Sequence, residues 1–325
     1  MFNMGEIIVV AEHRQGELRE ITYQMLGKAD ELCRKLSHDL IAVVIGGKGL
    51  PFLDELKKRA NGLIVAEDDL LKNFNADLYK EILNRLITDR KPHLVLIGHT
   101  PWGMDLAPSL AVKGNLSMAS DCVDILVEDG NPKAVRQIYS GKMFSKISFR
   151  PSDTHLITIR PGSFPSDIAI DRNGEVIKME LPAELPETGK EFLEFVDSGG
   201  GDLDISQAEL LVSVGRGIGE EQNIEDVKEL ADLMGGVISC SRPIVDKKWL
   251  PKYHQVGTSG KSVKPKVYLA LGISGAFQHV AGIGGAGTVI AVNKDRKAPI
   301  FRAADYGVAD DLFKIVAALK EKLRG

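Results

Sequence analysis

The chain alternates short apolar runs with segments of helical periodicity. Continuous runs of valine, isoleucine and leucine are typical of strands covered on both faces, as in a parallel sheet with crossover helices. In the segment 77–89 the apolar residues recur at spacings of three and four, which predicts a helix with one buried face. For the first half we predict strands over 6–12, 40–47, 62–68 and 92–100 and helices over 18–37 and 77–89.

The character of the pattern changes after residue 130. The segments 133–149 and 154–164 are predicted to be adjacent extended strands. The segment 166–181 contains Asn173-Gly174, a dipeptide typical of two-residue hairpin turns. We therefore expect a β hairpin around these two residues.

Residues 197–206, DSGGGDLDIS, combine three glycines with acidic residues. Such a composition is typical of a flexible, polar connection between domains. A chain of 325 residues is also longer than one hydrophobic core usually supports. We therefore predict an N-terminal α/β domain over 1–196, a hinge over 197–206 and a second domain over 207–325.

A second alternation fills the last third of the chain. Strands are predicted over 209–217, 236–242, 266–272 and 287–295, and a further apolar segment follows at 299–305. Helices are predicted over 222–235, around Gln278 and His279, and over 307–323. The predicted fold class is α/β, with two domains that are each a mainly parallel sheet with flanking helices, the second of them Rossmann-like.

Glycine, hydroxyl, amide or cationic groups follow each apolar run of the second domain. Ligands of an open parallel sheet bind beyond the carboxyl ends of its strands, so these groups are predicted to form one site. The loop HQVGTSGKS, 254–262, adds further glycines and hydroxyls. The groups at the strand ends are Gly215-Arg216-Gly217, Cys240-Ser241-Arg242, Gly272-Ile273-Ser274-Gly275 and Asn293-Lys294-Asp295. Together they favour a nucleotide ligand.

The motifs leave the kind of nucleotide open. GRGIGEE, 215–221, is similar to the glycine-rich dinucleotide turn, but Glu220 stands in place of its third glycine. Arg242 could meet a 2′-phosphate, which keeps NADP as an alternative. Purely structural interpretations also stand, with both arginines as surface charges, His279 as a half-buried helix residue and Ser274 as an ordinary N-cap.

Composition and charge narrow the class of protein. The chain is 44% hydrophobic and 26% charged with a net charge of −4, which is typical of a soluble globular protein and predicts no general attraction to nucleic acid or anionic membranes. No apolar run approaches the roughly 18–20 residues that span a bilayer, and we expect no secretory signal. Cys33, Cys122 and Cys240 are far apart, which predicts free thiols in the cytoplasm and no metal site.

The last third closely resembles the FAD-binding domain of electron transfer flavoprotein alpha subunits. The matching segments are SRPIVD, HQVGTSGK, YLALGISGAFQHVAGI, VIAVNKDRKAPIFRAADYG and DDLFKIV. The first domain is similar more loosely, through VVAEH, RQIYSGK and TIRPGSF. The loop QVGTSG departs from the family's usual QVGQTG, so that Thr258 replaces a glutamine and Ser259 a threonine.

The resemblance implies an FAD that lies extended along the strand ends of the second domain. Ser274 and Gly275, at a helix N-terminus, would meet its pyrophosphate, and Asn293 and Asp311 would hold its AMP half. The full cofactor-binding set that the resemblance implies is Arg216, Ser241, Arg242, Gln255, Val256, Gly257, Thr258, Ser259, Gly272, Ser274, Gly275, Gln278, His279, Asn293, Lys294, Asp295, Asp311 and Leu312.

Three of these residues would tune the flavin, according to the same resemblance. Arg242 would lie against the isoalloxazine ring, His279 near the N1–C2=O2 edge and Ser259 near N5, with Gln278 on the ring side beside His279. Positive or hydrogen-bond-donating groups there would stabilise negative charge on a reduced flavin.

The resemblance also implies partners and leaves two functions open. A beta subunit would pair with this chain, mostly through the first domain, and would hold AMP or a second FAD. In one function the pair carries electrons from acyl-CoA dehydrogenases to a quinone oxidoreductase. In the other it is an electron-bifurcating enzyme that oxidises NADH and reduces ferredoxin or flavodoxin together with a high-potential acceptor.

Overall fold

The computed structural model describes residues 5–139, 143–181, 185–186, 188–195, 205–206 and 208–324. The chain divides into two α/β units, one ending at Leu193 and the other beginning at Glu194. Most of the predicted hinge lies outside the described residues. Of its members only Ile205 and Ser206 are described, and Ile205 is buried in the core of the second unit.

The N-terminal unit is built around a large, mainly parallel sheet. Its strands are β1 (Glu6–Val10), β2 (His13–Arg14), β3 (Glu17–Leu18), β4 (Asp39–Gly46), β5 (Gly62–Glu67), β6 (Leu94–Gly98), β7 (Ser117–Glu128), β8 (Asn131–Ile138), β9 (Met143–Ser148), β10 (His155–Ile159) and β11 (Glu175–Lys178). Its helices are α1 (Glu20–Leu36), α2 (Leu53–Lys57), α3 (Ala76–Arg90) and α4 (Pro101–Lys113). The order across the main sheet is β11-β5-β4-β1-β6-β10-β7-β8-β9, and only the β7–β8 and β8–β9 pairs of its described strands are antiparallel. The short strands β2 and β3 pair separately.

The continuous apolar runs are buried on both faces, as predicted. Along β1, Ile7 and Val9 belong to one core cluster, which includes residues of α1, while Ile8 and Val10 belong to another, which includes residues of α3 and α4. Successive side chains of a strand point to opposite faces, so an uninterrupted apolar run supplies two cores at once.

One predicted strand pairing in the second half of this unit is wrong. The segment 154–164 was expected beside 133–149, but β10 lies between β6 and β7 and pairs with both in parallel. All five residues of β10 are buried, whereas β9, at the sheet edge, has four exposed residues and no buried one. A strand without a polar face needs cover on both sides and two neighbours, and a central position supplies them.

The predicted hairpin at Asn173-Gly174 does not form. Neither residue has a positive φ angle, which the usual two-residue hairpin turn requires of both. β11 instead pairs in parallel with β5. The Gly174 amide donates to the Lys57 carbonyl (3.0 Å), and a Cβ on Gly174 would lie 2.6 Å from the Ala60 carbonyl oxygen. The glycine therefore serves a close backbone approach.

The C-terminal unit contains a five-stranded sheet in which every described pair is parallel. Its strands are β12 (Leu210–Val214), β13 (Val237–Cys240), β14 (Val267–Leu271), β15 (Thr288–Val292) and β16 (Tyr306–Val308), in the order β13-β12-β14-β15-β16. Its helices are α5 (Ile224–Leu233), α6 (Arg242–Asp246), α7 (Phe277–Ala281) and α8 (Leu312–Arg324). These two sheets with their flanking helices confirm the predicted fold class.

The last helix begins later than predicted. Residues 306–308 form β16, and α8 starts at Leu312 rather than near residue 307. The three residues of β16 are exposed, so they lack the apolar signal of the other strands. The Asp311 carboxylate accepts a hydrogen bond from the Phe313 amide (2.8 Å), which caps the first turn of α8.

Three histidines cluster at the amino ends of strands in the N-terminal unit. His38 Nε2 lies 2.9 Å from His93 Nδ1, and the rings of His93 and His155 are 6.0 Å apart. His155 also stacks on Phe149, with ring centroids 4.7 Å apart. Burial lowers the pKa of His93, and its two histidine neighbours lower it further; burial alone lowers the pKa of His155.

This cluster predicts a loss of stability in mild acid. The folded-state pKa values of His93 and His155 lie below their ordinary value of 6.5, so the unfolded chain binds more protons at lower pH. The contribution to stability is therefore complete above pH 6.5 and is lost as the pH falls below it. His93→Asn should flatten this dependence.

The measurement is urea unfolding of the full chain between pH 5 and pH 8. The chain has two tryptophans, Trp102 in the N-terminal unit and Trp249 in the other, so a Trp249→Phe background makes fluorescence report the N-terminal unit. The values at pH 8 are the reference for each variant. If the free energy of unfolding depended on pH equally in the parent and in His93→Asn, the prediction would be contradicted.

Candidate functional site

The carboxyl ends of the C-terminal strands meet at one edge of their sheet. Val214 at the end of β12 is in register with Cys240 of β13 and Leu271 of β14, and Leu271 is in register with Val292 of β15. The polar groups that follow these residues in the sequence are therefore brought together, as the parallel arrangement predicts.

The expected site residues divide by exposure. Nine have exposed side chains or backbone and could meet a ligand directly, and two are partly exposed. The exposed residues are Arg216, Arg242, Thr258, Ser259, Ser274, Gln278, Lys294, Asp295 and Asp311, and the partly exposed ones are Gly272 and Asn293. The buried ones are Ser241, Gln255, Val256, Gly257, Gly275, His279 and Leu312.

The glycines after β12 and β14 serve a backbone-on-backbone contact. A Cβ on Gly215 would lie 2.5 Å from the Gly272 carbonyl oxygen, and one on Gly217 would lie 2.7 Å from the Gly272 Cα. The Gly217 amide donates to the Gly272 carbonyl (3.0 Å), and Gly272 has a φ of +63°. No other residue type fits this contact without movement of the two turns.

The structure corrects the expected helix N-terminus at Ser274 and Gly275. α7 begins at Phe277, its N-cap residue is Ala276, and it is only five residues long. Ser274 is therefore not an N-cap. Gly275 has a φ of +82°, and a Cβ there would lie 2.2 Å from the Ile300 nitrogen. The Ile300 amide donates to the Ser274 carbonyl (3.0 Å), so this turn packs against the segment after β15.

Hydrogen bonds connect the loop 255–261 to α7 and join two side chains within the loop. The Thr258 amide donates to the Gln278 carbonyl (2.9 Å), and the buried Gln255 side chain donates through Nε2 to Ser259 Oγ (2.8 Å). A serine hydroxyl rotates more freely than that of threonine, which has a β-methyl group. The Gln255 amide therefore restrains the Ser259 hydroxyl in a loop that differs from the usual family sequence.

Gln278 and His279 do not face the same side, contrary to the expectation that both turn to the ring. Successive residues of a helix point about 100° apart, and here Gln278 is exposed while His279 is buried. His279 Nε2 lies 2.8 Å from the Tyr268 hydroxyl. Burial lowers the pKa of His279 to about 4, and the Val256 backbone opposes that change. The imidazole is therefore neutral at pH 7.

Three other expected ligands have structural contacts of their own. The Asn293 side chain donates to the Ile273 carbonyl (2.8 Å) and accepts from the Asp295 amide (2.9 Å). Asp311 caps α8, as described above. Leu312 is buried in the core, and its side chain would come within 2.9 Å of a Cβ on Gly272.

The cations at the strand ends are exposed. Arg216 is exposed in the turn after β12. The Arg242 side chain is 69% exposed, and its only described ion pair is a contact of 3.4 Å from Nε to Asp246. A group that carries phosphates can therefore approach both guanidinium groups, which bind phosphate oxygens in a bidentate manner.

Sequence reasoning missed a group of buried hydroxyls beneath this edge. Tyr268, Ser213 and Ser239 are almost completely buried on one face of the sheet. Ser213 and Ser239 are in register on neighbouring strands, and Leu211, two residues before Ser213, is in register with Tyr268. A hydroxyl inside an apolar strand run, as in LLVSV and VISC, is the signal that could have drawn attention to them.

Comparison with known proteins gives two family matches. The model described as electron transfer flavoprotein FAD-binding domain matches residues 204–284, and the one described as electron transfer flavoprotein domain matches residues 7–184. The described part of the chain has no helix with both the length and the apolarity to cross a membrane.

Several relatives match over nearly their whole length. The electron transfer flavoprotein subunit alpha of Thermoanaerobacterium thermosaccharolyticum is 35% identical, with 100% of this chain and 99% of the relative covered. Protein FixB of Clostridium saccharobutylicum is 35% identical over 96% of this chain and 94% of its own. The acryloyl-CoA reductase electron transfer subunit beta of Anaerotignum propionicum is 34% identical over 98% and 95%. This chain therefore belongs to the electron transfer flavoprotein alpha-subunit family, whose C-terminal domain binds FAD.

Proposed function

We propose that this chain and a beta subunit form an electron carrier that takes electrons from acyl-CoA dehydrogenase-type flavoenzymes and delivers them to a quinone-reducing acceptor. Electron transfer with FAD and pairing with a beta subunit follow from the family. The observation that carries the proposal is the single sheet edge at which Arg216, Arg242 and the loop 255–261 meet in the FAD-binding domain.

The residues at this edge fit FAD chemically. The two exposed arginines suit the negative charges of a bound FAD: guanidinium groups bind phosphate oxygens through charge-assisted hydrogen bonds, and Arg242, at its proposed place beside the isoalloxazine ring, would stabilise the charge of the reduced ring. Ser259, held by Gln255, and the neutral His279 supply hydrogen-bonding groups for a flavin ring. FAD itself supplies the one- and two-electron redox chemistry. The chain's residues bind it, orient it and set the charge around it.

The cytoplasm is the compartment that we propose. Cys33, Cys122 and Cys240 are free and buried. Burial raises the pKa of each thiol to about 12, so all three are protonated and unreactive at pH 7. Unpaired thiols of this kind are typical of a reducing compartment.

One relative favours the second candidate function, an electron-bifurcating complex. The Anaerotignum propionicum protein is named as an electron transfer subunit of an acryloyl-CoA reductase, and a reductase receives electrons. A complex that supplies such electrons from NADH would hold a second FAD in the beta subunit. The two candidates therefore differ in nucleotide content.

The nucleotide content of the purified heterodimer tests this choice. The chain is co-purified with its beta subunit and denatured, and the released nucleotides are separated and counted. The carrier predicts one FAD and one AMP per heterodimer. Two FAD molecules and no AMP would overturn the carrier in favour of the bifurcating complex. Release of neither nucleotide, even after reconstitution with FAD, would contradict both.

Arg242→Ala should lower the first reduction potential of the bound flavin. A cation near the ring stabilises the negative charge gained on reduction, and full Coulomb attraction at 5 Å in an effective dielectric near 20 is about 3 kcal/mol. The side chain is 69% exposed, so solvent screening leaves about 1 kcal/mol, or roughly 40 mV for one electron. Spectroelectrochemical titration of the heterodimer measures the shift.

Lys228→Ala is the matched control for this titration. Lys228 has an exposed side chain and, like Arg242, one acidic partner about one helical turn away, but it lies in the middle of α5 rather than at a strand end. The first reduction potential of the flavin in the Lys228→Ala heterodimer should equal that in the parent. Equal shifts in both variants would show a general charge effect and would remove the role proposed for Arg242.

A further inference from the structure

We infer that Tyr268 is a positioning residue for His279: its hydroxyl donates to Nε2, keeps the imidazole proton on Nδ1 and so prepares an N–H donor for the bound flavin. The inference rests on the proposed place of His279 beside the flavin. It assigns a function to a buried hydroxyl that lies beneath the strand-end site.

The contact between the two side chains is specific and sheltered from water. The Tyr268 oxygen lies 2.8 Å from His279 Nε2, and the ring centroids are 6.0 Å apart at an angle of 55°. Tyr268 is 0% exposed and His279 is 6% exposed. A hydrogen bond in such surroundings fixes both the orientation of the imidazole ring and the nitrogen that bears the proton.

The chemistry of the two groups gives the direction of this hydrogen bond. The imidazole is neutral, so one ring nitrogen carries a proton and the other a lone pair. A phenol O–H is a stronger donor than an imidazole N–H, and the imidazole lone pair is a stronger acceptor than a phenol oxygen, so the tyrosine donates to Nε2. The proton then lies on Nδ1, which has no hydrogen-bond partner among the described residues and keeps its capacity to donate.

Two buried serines lie on the same face of the sheet as Tyr268. Ser213 and Ser239 are in register on neighbouring strands, and Leu211, two residues before Ser213, is in register with Tyr268. Neither serine Oγ has a well-formed hydrogen bond among the described residues. Hydroxyls that turn toward the phenol oxygen leave the tyrosine proton free to point at His279.

A packing role for Tyr268 would not need its hydroxyl. A phenylalanine fills nearly the same space, and it would avoid the cost of burying a polar oxygen. Tyr268→Phe therefore removes the proposed hydrogen bond and keeps the packing. Tyr79→Phe is the matched control, because Tyr79 is equally buried and donates to the Ile45 carbonyl (2.7 Å) in the N-terminal unit.

The first test needs no FAD. Long-range ¹H–¹⁵N NMR of the FAD-free heterodimer reports which imidazole nitrogen bears the proton, and the His279 signals are those missing from His279→Gln. We expect Nδ1 to be protonated in the parent and in Tyr79→Phe, and both ring nitrogens to shift toward intermediate values in Tyr268→Phe. A proton on Nε2 in the parent would overturn the inference, whether or not the tyrosine variant folds.

The second test measures the consequence for FAD. Titration of the FAD-free heterodimers should show Tyr268→Phe binding FAD roughly 2- to 10-fold more weakly than the parent, the range expected for one hydrogen bond, and Tyr79→Phe binding it as the parent does. Equal affinity in both variants would overturn the inference. A parent heterodimer that binds FAD but exchanges no electrons with its redox partners would instead contradict the proposed function.

Discussion

The C-terminal unit depends on one close contact between the turns that end β12 and β14. Gly215 and Gly217 pack against Gly272 at distances that exclude any side chain. This contact brings the central strand ends together, and the neighbouring strands extend the same edge in register. The polar groups of four separate segments thereby become one site, although none of them is near the others in the sequence.

The site is layered, and its layers have different tasks. Exposed arginines and hydroxyls form the outer layer, where a charged cofactor can reach them. Beneath it, Gln255 holds Ser259, and Tyr268 contacts His279. In the roles that we propose, Gln255 and Tyr268 do not need to touch FAD, because they would fix the conformations of Ser259 and His279. These buried polar groups would then support the ligand site as well as the fold.

The fold class was predictable from the sequence because the apolar runs are continuous and regularly spaced. Strand order was not, since the position of β10 between β6 and β7 depends on pairing between distant segments. The hairpin predicted at Asn173-Gly174 was wrong because glycine is used both in tight turns and where two backbones approach closely. The sequence alone does not distinguish these two uses. The site residues were predicted from family resemblance and strand-end position, whereas Tyr268 lies within an ordinary apolar run. That Tyr268 contacts His279 can be recognised only once helix α7 is folded against the sheet.

We propose that FAD lies along the carboxyl edge of the C-terminal sheet, and hydrogen–deuterium exchange of the heterodimer with and without FAD tests this position most directly. We expect bound FAD to slow exchange in the segments 215–219, 241–246, 255–261, 272–279 and 293–295, and to leave exchange unchanged at β11 in the other unit. Slower exchange at β11 or the three-histidine cluster, with none at these five segments, would show that FAD binds elsewhere.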